Sequence, residues 1–263
     1  MKLGFAERLH MQHRLLRCRF KSEAPSIRFL LESPLAGGTL VDIGANMGVF
    51  SYYMSRCAGA AGSVYAFEAQ PELGPHLAAV ARTFGLSNLH IINEGLSSQP
   101  GVLRMRRSGA GSGRASFDHG TGDDLEELDI PVTTLDLFFQ EVEHDPIRFI
   151  KCDVEGHELE AFRGARGILH DERPVLLFEC HHDEAVDGSL FAFLVSLGYD
   201  GVFFQVEPED HRSLVRNTRG RYQHYSSFER CAYPRPGVRH RNYIFMKDRE
   251  RLERMLSGDA EGA

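Results

Sequence analysis

Val41-Asp42-Ile43-Gly44-Ala45-Asn46-Met47-Gly48-Val49-Phe50 is the stretch that decides the fold. An apolar run from Thr39 to Ile43 enters it, and a helix-like pattern of Phe50, Tyr53, Met54 and Cys57 leaves it. Between the two lies a tight turn with Gly44 and Gly48 four residues apart. Strand, glycine turn and helix form the unit through which an open α/β sheet offers backbone N–H groups and a helix N-terminus to a ligand. Gly44 lets the backbone turn and come close to that ligand, where a Cβ would obstruct it. A pair of glycines alone also fits an empty βα connection, so the neighbouring residues have to decide.

Two absences narrow the ligand. The three-glycine spacing of dinucleotide folds is missing, and so is the Gly-Lys-Ser/Thr end of a phosphate loop. Asp42 stands two residues before Gly44, where it would repel a pyrophosphate and suit a ligand with positive charge. The sulfonium and ammonium of S-adenosylmethionine answer that description. Glu68, at the end of the next apolar run, follows Gly44 by 24 residues, near the ~20-residue offset at which an acid meets ribose hydroxyls.

The bulk numbers exclude several classes. With 263 residues, 42% hydrophobic and 25% charged, the chain suits one globular domain with extensions. A net charge of −7 argues against a general nucleic-acid binder. Cys18, Cys57, Cys152, Cys180 and Cys231 are odd in number and form no Cys-x-x-Cys pair, which suits a reducing, cytoplasmic setting and no structural zinc. No apolar run approaches the ~18 residues of a membrane span, and the start has no secretory apolar segment.

Residues 1–35 read as a helical extension and residues 36–263 as the main domain. In the extension, Leu9, Leu15, Leu16 and Phe20 alternate with Arg8, Arg14, Arg17, Arg19 and Lys21. Such a basic amphipathic helix can lie on a membrane surface, but a helix capping one side of the domain is the expectation. Further on, strands at Ser63–Phe67 and Leu89–Ile92 flank a helix running from Pro71 to Gly85. Val102–Met105 reads as an edge strand before a glycine- and serine-rich loop from Arg106 to Ser116, Ile130–Leu135 as a strand, and Asp136–Val142 as a short helix. A second informative stretch is Ile147–Gly156, an apolar strand whose carboxyl end brings Asp153 to the rim where open α/β sheets hold their ligands. Val175–Phe178 repeats the pattern and leads into Glu179-Cys180-His181-His182 at the same rim. The βα alternation predicts a doubly wound, mostly parallel sheet with helices on both faces. Between Arg212 and Arg241 eight arginines accompany a single acid, Glu229; Arg219 and Arg221 are the expected contacts to an acceptor with carboxylate, phosphate or many hydroxyls.

These stretches together resemble the FkbM-type S-adenosylmethionine-dependent methyltransferases, a class I, Rossmann-like family. The likeness rests on Val41 to Gly48, Phe67-Glu68, Thr134-Leu135-Asp136, Ile150 to Glu158, Pro174 to Glu179 and Asn242 to Phe245. It implies a seven-stranded sheet and an O-methyltransferase acting on hydroxyls of small molecules or sugars. It also implies that Asp42, Gly44, Asn46, Gly48 and Glu68 line the cofactor pocket, with Asp153 at its edge.

A hydroxyl acceptor must lose its proton during methyl transfer, so the rim acids and histidines are the candidates: Asp153, Glu155, Glu158, Glu179, His181 and His182. His181 is the expected base, because it shares a strand face with Glu179 two residues before it. Asp153 and Glu155 are its alternates in catalysis, Glu179 is expected on the substrate side, and no metal is expected. Three rivals compete. A nicotinamide-dependent oxidoreductase would use Glu68 as well, but Asp42 and the missing third glycine oppose it. A nucleic-acid methyltransferase lacks its Asn/Asp-Pro-Pro-Tyr type motif, and a cofactor-binding scaffold without turnover is disfavoured by the intact rim acids.

Overall fold

The computed structural model describes residues 2–111, 115–117, 125–206, 220–231 and 240–258. Helix α1 (Phe5–Arg17) passes through a π-helical segment (Cys18–Ser22) into α2 (Ala24–Glu32). Next come β1 (Thr39–Ile43), α3 (Val49–Ala58), β2 (Ser63–Phe67), α4 (Leu73–Phe84) and β3 (Leu89–Ile92). Three strands follow, β4 (Gly95–Leu96), β5 (Gly101–Arg107) and β6 (Glu126–Thr133), and then α5 (Leu135–Glu141). The chain continues through β7 (Ile147–Cys152), α6 (Glu158–Arg163), α7 (Arg166–Asp171), β8 (Val175–His181), α8 (His182–Asp187) and α9 (Ser189–Ser196). It ends with β9 (Asp200–Val206), β10 (Gly220–His224), a 3-10 turn (Tyr225–Arg230), β11 (His240–Met246) and α10 (Arg249–Ser257).

The main sheet has the order β10-β9-β11-β8-β7-β1-β2-β3. Strands β8, β7, β1, β2 and β3 run parallel, and β11 pairs antiparallel with both β8 and β9. The expected seven strands are present, and β10 adds an eighth by pairing antiparallel with β9. One face carries the core of Val41, Ile43, Phe67, Ile150, Phe178 and Phe245 against α5 to α9. The other carries Leu40, Val64, Phe149 and Leu177 against α3 and α4, together with Met11, Leu15, Ile27 and Leu30 of the helical extension. Burial on both faces is why the central strands read as continuous apolar runs.

Two departures from the sequence reading matter for the site. β5 runs on to Arg107, β6 begins at Glu126, and with β4 they form a separate three-stranded sheet. Its pattern is hard to read because β6 opens on two exposed acids, and only Ile130 and Val132 are buried, alternating with exposed Asp129 and Pro131. β8 also stays extended as far as His181 and only then turns into α8, a helix that the sequence pattern does not announce.

Candidate active site

Strand alternation sets the interior of the site. In β1, Val41 and Ile43 face one core and Leu40 faces the other, so Asp42 points the same way as Leu40, beneath α3. Asp42 is fully buried, and Ser51 of α3 donates to its Oδ2 at 2.5 Å. On β7, Lys151 is the register partner of Asp42 and therefore shares its face. The Lys151 ammonium lies 3.6 Å from Asp42 Oδ1 and 3.3 Å from Asp153 Oδ2, and donates to the carbonyl of Gly44 at 3.2 Å. Burial would lower the lysine's pKa, but Asp153 and Asp42 outweigh it and hold the ammonium above its ordinary value. Burial in turn raises the Asp42 carboxyl, against the pull of Lys151 and Ser51. Asp42, expected in the pocket wall, thus lies behind that wall as the counter-ion of Lys151.

Gly44 is glycine for two reasons. Its φ is +75°, and a Cβ there would stand 1.9 Å from the carbonyl oxygen of Asp153. The close approach is to the neighbouring strand end, so the β1 turn and the β7 rim are locked together. The Asp153 N–H donating to the Ile43 carbonyl at 3.1 Å completes that lock. Gly48, with φ +80°, caps α3, and a Cβ there would meet Leu77 at 2.8 Å.

A cleft of about 270 Å³ opens above this turn. Gly44 and Asn46 form its floor, and Phe67, Leu96, Met105 and Phe117 its apolar wall. Met105 comes from β5, so the small sheet closes one side of the cleft. Arg107, buried at the end of β5, ties that sheet down by ion pairs to Glu72 and to Glu126, the latter at 2.9 Å. Glu68 is buried at the end of β2; one carboxylate oxygen accepts the Asn46 N–H at 2.6 Å and the other the Gln70 N–H at 2.9 Å. Each oxygen keeps a second lone pair for a ligand hydroxyl. Four carboxylates (Glu68, Glu94, Asp153, Glu155) face two cations (Arg14, Lys151) around the cleft. Hydroxyl acceptors, apolar walls and net negative charge fit an adenosyl ligand that carries positive charge.

The rim beside the cleft gathers residues from four elements. Glu155 holds a left-handed backbone, φ +54°, in the loop between β7 and α6. Glu158, read from sequence as a rim acid, is buried instead, accepting the Val154 N–H at 2.8 Å and the Gly156 N–H at 3.0 Å. It anchors the loop that presents Glu155, and burial pushes its carboxyl up to about 8. His181 Nε2 lies 3.5 Å from Glu155 and 4.0 Å from Glu179. The contact with Glu155 raises the imidazole to about 9 against the opposing effect of burial, helped by Glu184 and Glu179. Across the antiparallel pairing, His240 Nδ1 sits 2.8 Å from Glu179 and is raised by it. Behind them Glu23, at the start of α2, accepts from Asn242 at 2.7 Å; burial and the nearby Glu179 and Asp153 push it up to about 7. His182 turns away and packs its ring against Phe228.

One ligand atom each of Glu155, Glu179 and His181 falls within 4.8 Å of the others, a spacing one divalent ion could bridge. Two raised imidazoles, His181 and His240, also set positive charge against these carboxylates. Arg221 lies exposed on the edge strand β10, five strand places from β1, or roughly 24 Å. The structure does not bring it to the cleft, and Arg219 lies outside the described residues. Arg241 of the same segment is buried, donating to the carbonyls of Phe228 and Cys231 at 3.1 and 2.6 Å. Sequence reasoning assigned no role to Lys151, Glu23, His240 or Asn242. A lysine within the apolar run of residues 149–152 in a central strand was the available signal for the first. The others depend on the register of β11, which no local pattern encodes.

A family model described as the Methyltransferase FkbM domain matches residues 42–201. No curated protein matches the chain. Among solved structures, the chain is similar to a methyltransferase FkbM from Methylobacillus flagellatus at 18% identity, covering 79% of this chain and 43% of that one, with a TM-score of 0.49. It thus spans less than half the length of that relative. A SAM-dependent methyltransferase from Aquifex aeolicus is similar at 13% identity, 88% and 91% coverage and a TM-score of 0.46. A SAM-dependent O-methyltransferase from Thermotoga maritima is similar at 12% identity, 85% and 64% coverage and a TM-score of 0.44. The family match takes in the glycine turn, Glu68, the Asp153 rim and the His181 strand end, and with well over half of its residues inside that match the chain belongs to the FkbM family of S-adenosylmethionine-dependent methyltransferases.

Proposed function

We propose that the protein methylates a hydroxyl group on a small molecule or sugar, with His181 as the base that takes the hydroxyl proton. S-adenosylmethionine supplies the methyl carbon, activated by its sulfonium. Gly44, Asn46 and Glu68 hold the donor in the cleft, and Asp153, fixed by Lys151, shapes the edge where donor and acceptor meet. Holding the two reactants in line can contribute up to roughly 7–11 kcal/mol of the barrier reduction. The neutral Nε2 of His181 accepts the proton, and Glu155 and Glu179 stabilise the imidazolium that results. The observation that carries this reading is the position of His181 between those two carboxylates, with Glu155 itself lining the cleft. Glu179 with His240 borders the acceptor side.

The raised pKa sets the pH dependence. With the imidazole at about 9, only about one molecule in a hundred has the neutral base at pH 7. The rate is expected to rise roughly tenfold per pH unit from neutrality and to level off near pH 9. His181→Ala is expected to lower kcat by about 10²–10⁴ and flatten this limb, while calorimetry finds S-adenosylhomocysteine affinity unchanged. Full turnover by that variant, with the limb intact, would sink the base role and move it to Asp153 or Glu155.

A further inference from the structure

The helical extension carries a surface that methyl transfer does not use. Ten large apolar side chains are exposed among the described residues, and four of them lie in one short stretch. Phe5 is 86% exposed, Leu9 and Leu16 57% each, and Phe20 42%. At ~100° per residue, Phe5, Leu9 and Leu16 fall within an arc of about 40° on α1, and the π-helical segment adds Phe20. The buried residues Met11 and Leu15 lie about 120° around the helix, so this is a second apolar stripe that the core does not cover. Arg8 and Arg17 are exposed on its two sides, and Arg19 follows beside Phe20.

The charge is just as segregated. Residues 2–22 contain six lysines and arginines and one acid, a net charge of +5 in a chain whose total is −7. Exposed apolar side chains flanked by arginine on an otherwise acidic protein match an anionic lipid surface: the stripe enters the acyl boundary and the arginines meet the headgroups. A second copy fits poorly, because an isologous contact would set one +5 helix against another. A nucleic acid would leave the apolar stripe without a partner.

We propose that α1 and the π-helical segment form an interfacial anchor that docks the protein on anionic membranes. Arg14 lies on the side of α1 away from the stripe and lines the donor cleft. Docking therefore holds the cleft about one helix diameter, ~10–12 Å, from the lipid.

Co-sedimentation of the full chain with vesicles tests this. Binding is expected to vesicles of equal parts phosphatidylglycerol and phosphatidylcholine, at least tenfold stronger than to phosphatidylcholine alone, and to weaken as salt rises. Leu9→Ser with Leu16→Ser, and separately Arg8→Glu with Arg17→Glu, should each cut the partition at least tenfold. S-adenosylhomocysteine affinity should stay unchanged in both, showing that the fold survives. Equal partition of wild type and both variants overturns the proposal. So does a wild-type dimer that both variants abolish in sedimentation velocity, or binding of RNA in preference to the anionic vesicles.

Discussion

Lys151 is the side chain on which the site's interior depends. It is 7% exposed and has two carboxylates as neighbours, so removing it strands a charge inside the protein. Breaking such a pair by deleting one partner costs about 3–5 kcal/mol. Lys151→Met is therefore expected to lose that much stability in urea unfolding, and adding Asp42→Asn should restore part of it. If the double variant is no more stable than the single one, Asp42 is not the partner that matters. Gly44→Ala belongs to the same scale. The added Cβ meets a backbone carbonyl that cannot swing away, and the left-handed φ adds strain. Stability and donor affinity should fall together; a variant that keeps normal stability while losing affinity would show that only the ligand feels this glycine. At His181 the stabilising effect has a definite sign. Its folded pKa is raised, so the contribution is complete below the ordinary value near 6.5 and fades as pH climbs through about 9.

Among the elements, the small sheet is the one whose role the sequence hides most. β5 supplies Met105 to the cleft, and Arg107 pins its far end. Arg107→Met is expected to raise the donor's Kd about tenfold, equivalent to ~1.4 kcal/mol, with kcat at saturation little changed. Unaltered affinity would mean that this wall stands without its arginine. The parallel strands β1, β2, β7 and β8 were legible because burial on both faces makes them continuous apolar runs. The glycine turn, Glu68 and the neighbourhood of Glu179 and His181 were legible for a similar reason, since each is tied to a strand end. The depth of Asp42 and Glu158 was not. Whether an acid at a strand end or helix start faces solvent or turns inward depends on partners such as Ser51, Lys151 and the Val154 N–H, which only tertiary packing supplies. Arg241 shows the same limit: an arginine read as surface charge holds two carbonyls inside the fold.

For the whole molecule, donor binding and folding are linked. A ligand at 100 times its Kd adds about 2.7 kcal/mol of stability. For a domain of this size that corresponds to a melting shift of roughly 5–10 °C. S-adenosylhomocysteine should produce such a shift and NAD none, and activity should survive EDTA, because His181 and His240 balance the rim carboxylates. Loss of activity on chelation, restored by a divalent ion, would instead make Glu155, Glu179 and His181 ligands. Among the described residues no helix is long and apolar enough to cross a membrane. The position of β11 between β8 and β9 also has a meaning in time. The hydrogen bond from Asn242 to Glu23 joins residues 219 apart. At ~5–20 residues per second, a ribosome needs roughly 10–45 s to make the chain between them. For roughly the last 2–7 s of that interval, once β9 has been made, β8 and β9 have no strand between them, and the rim lacks His240. Each newly made copy therefore passes those seconds with a gap in its sheet and an incomplete rim, and both defects end together when its last strand slides into place.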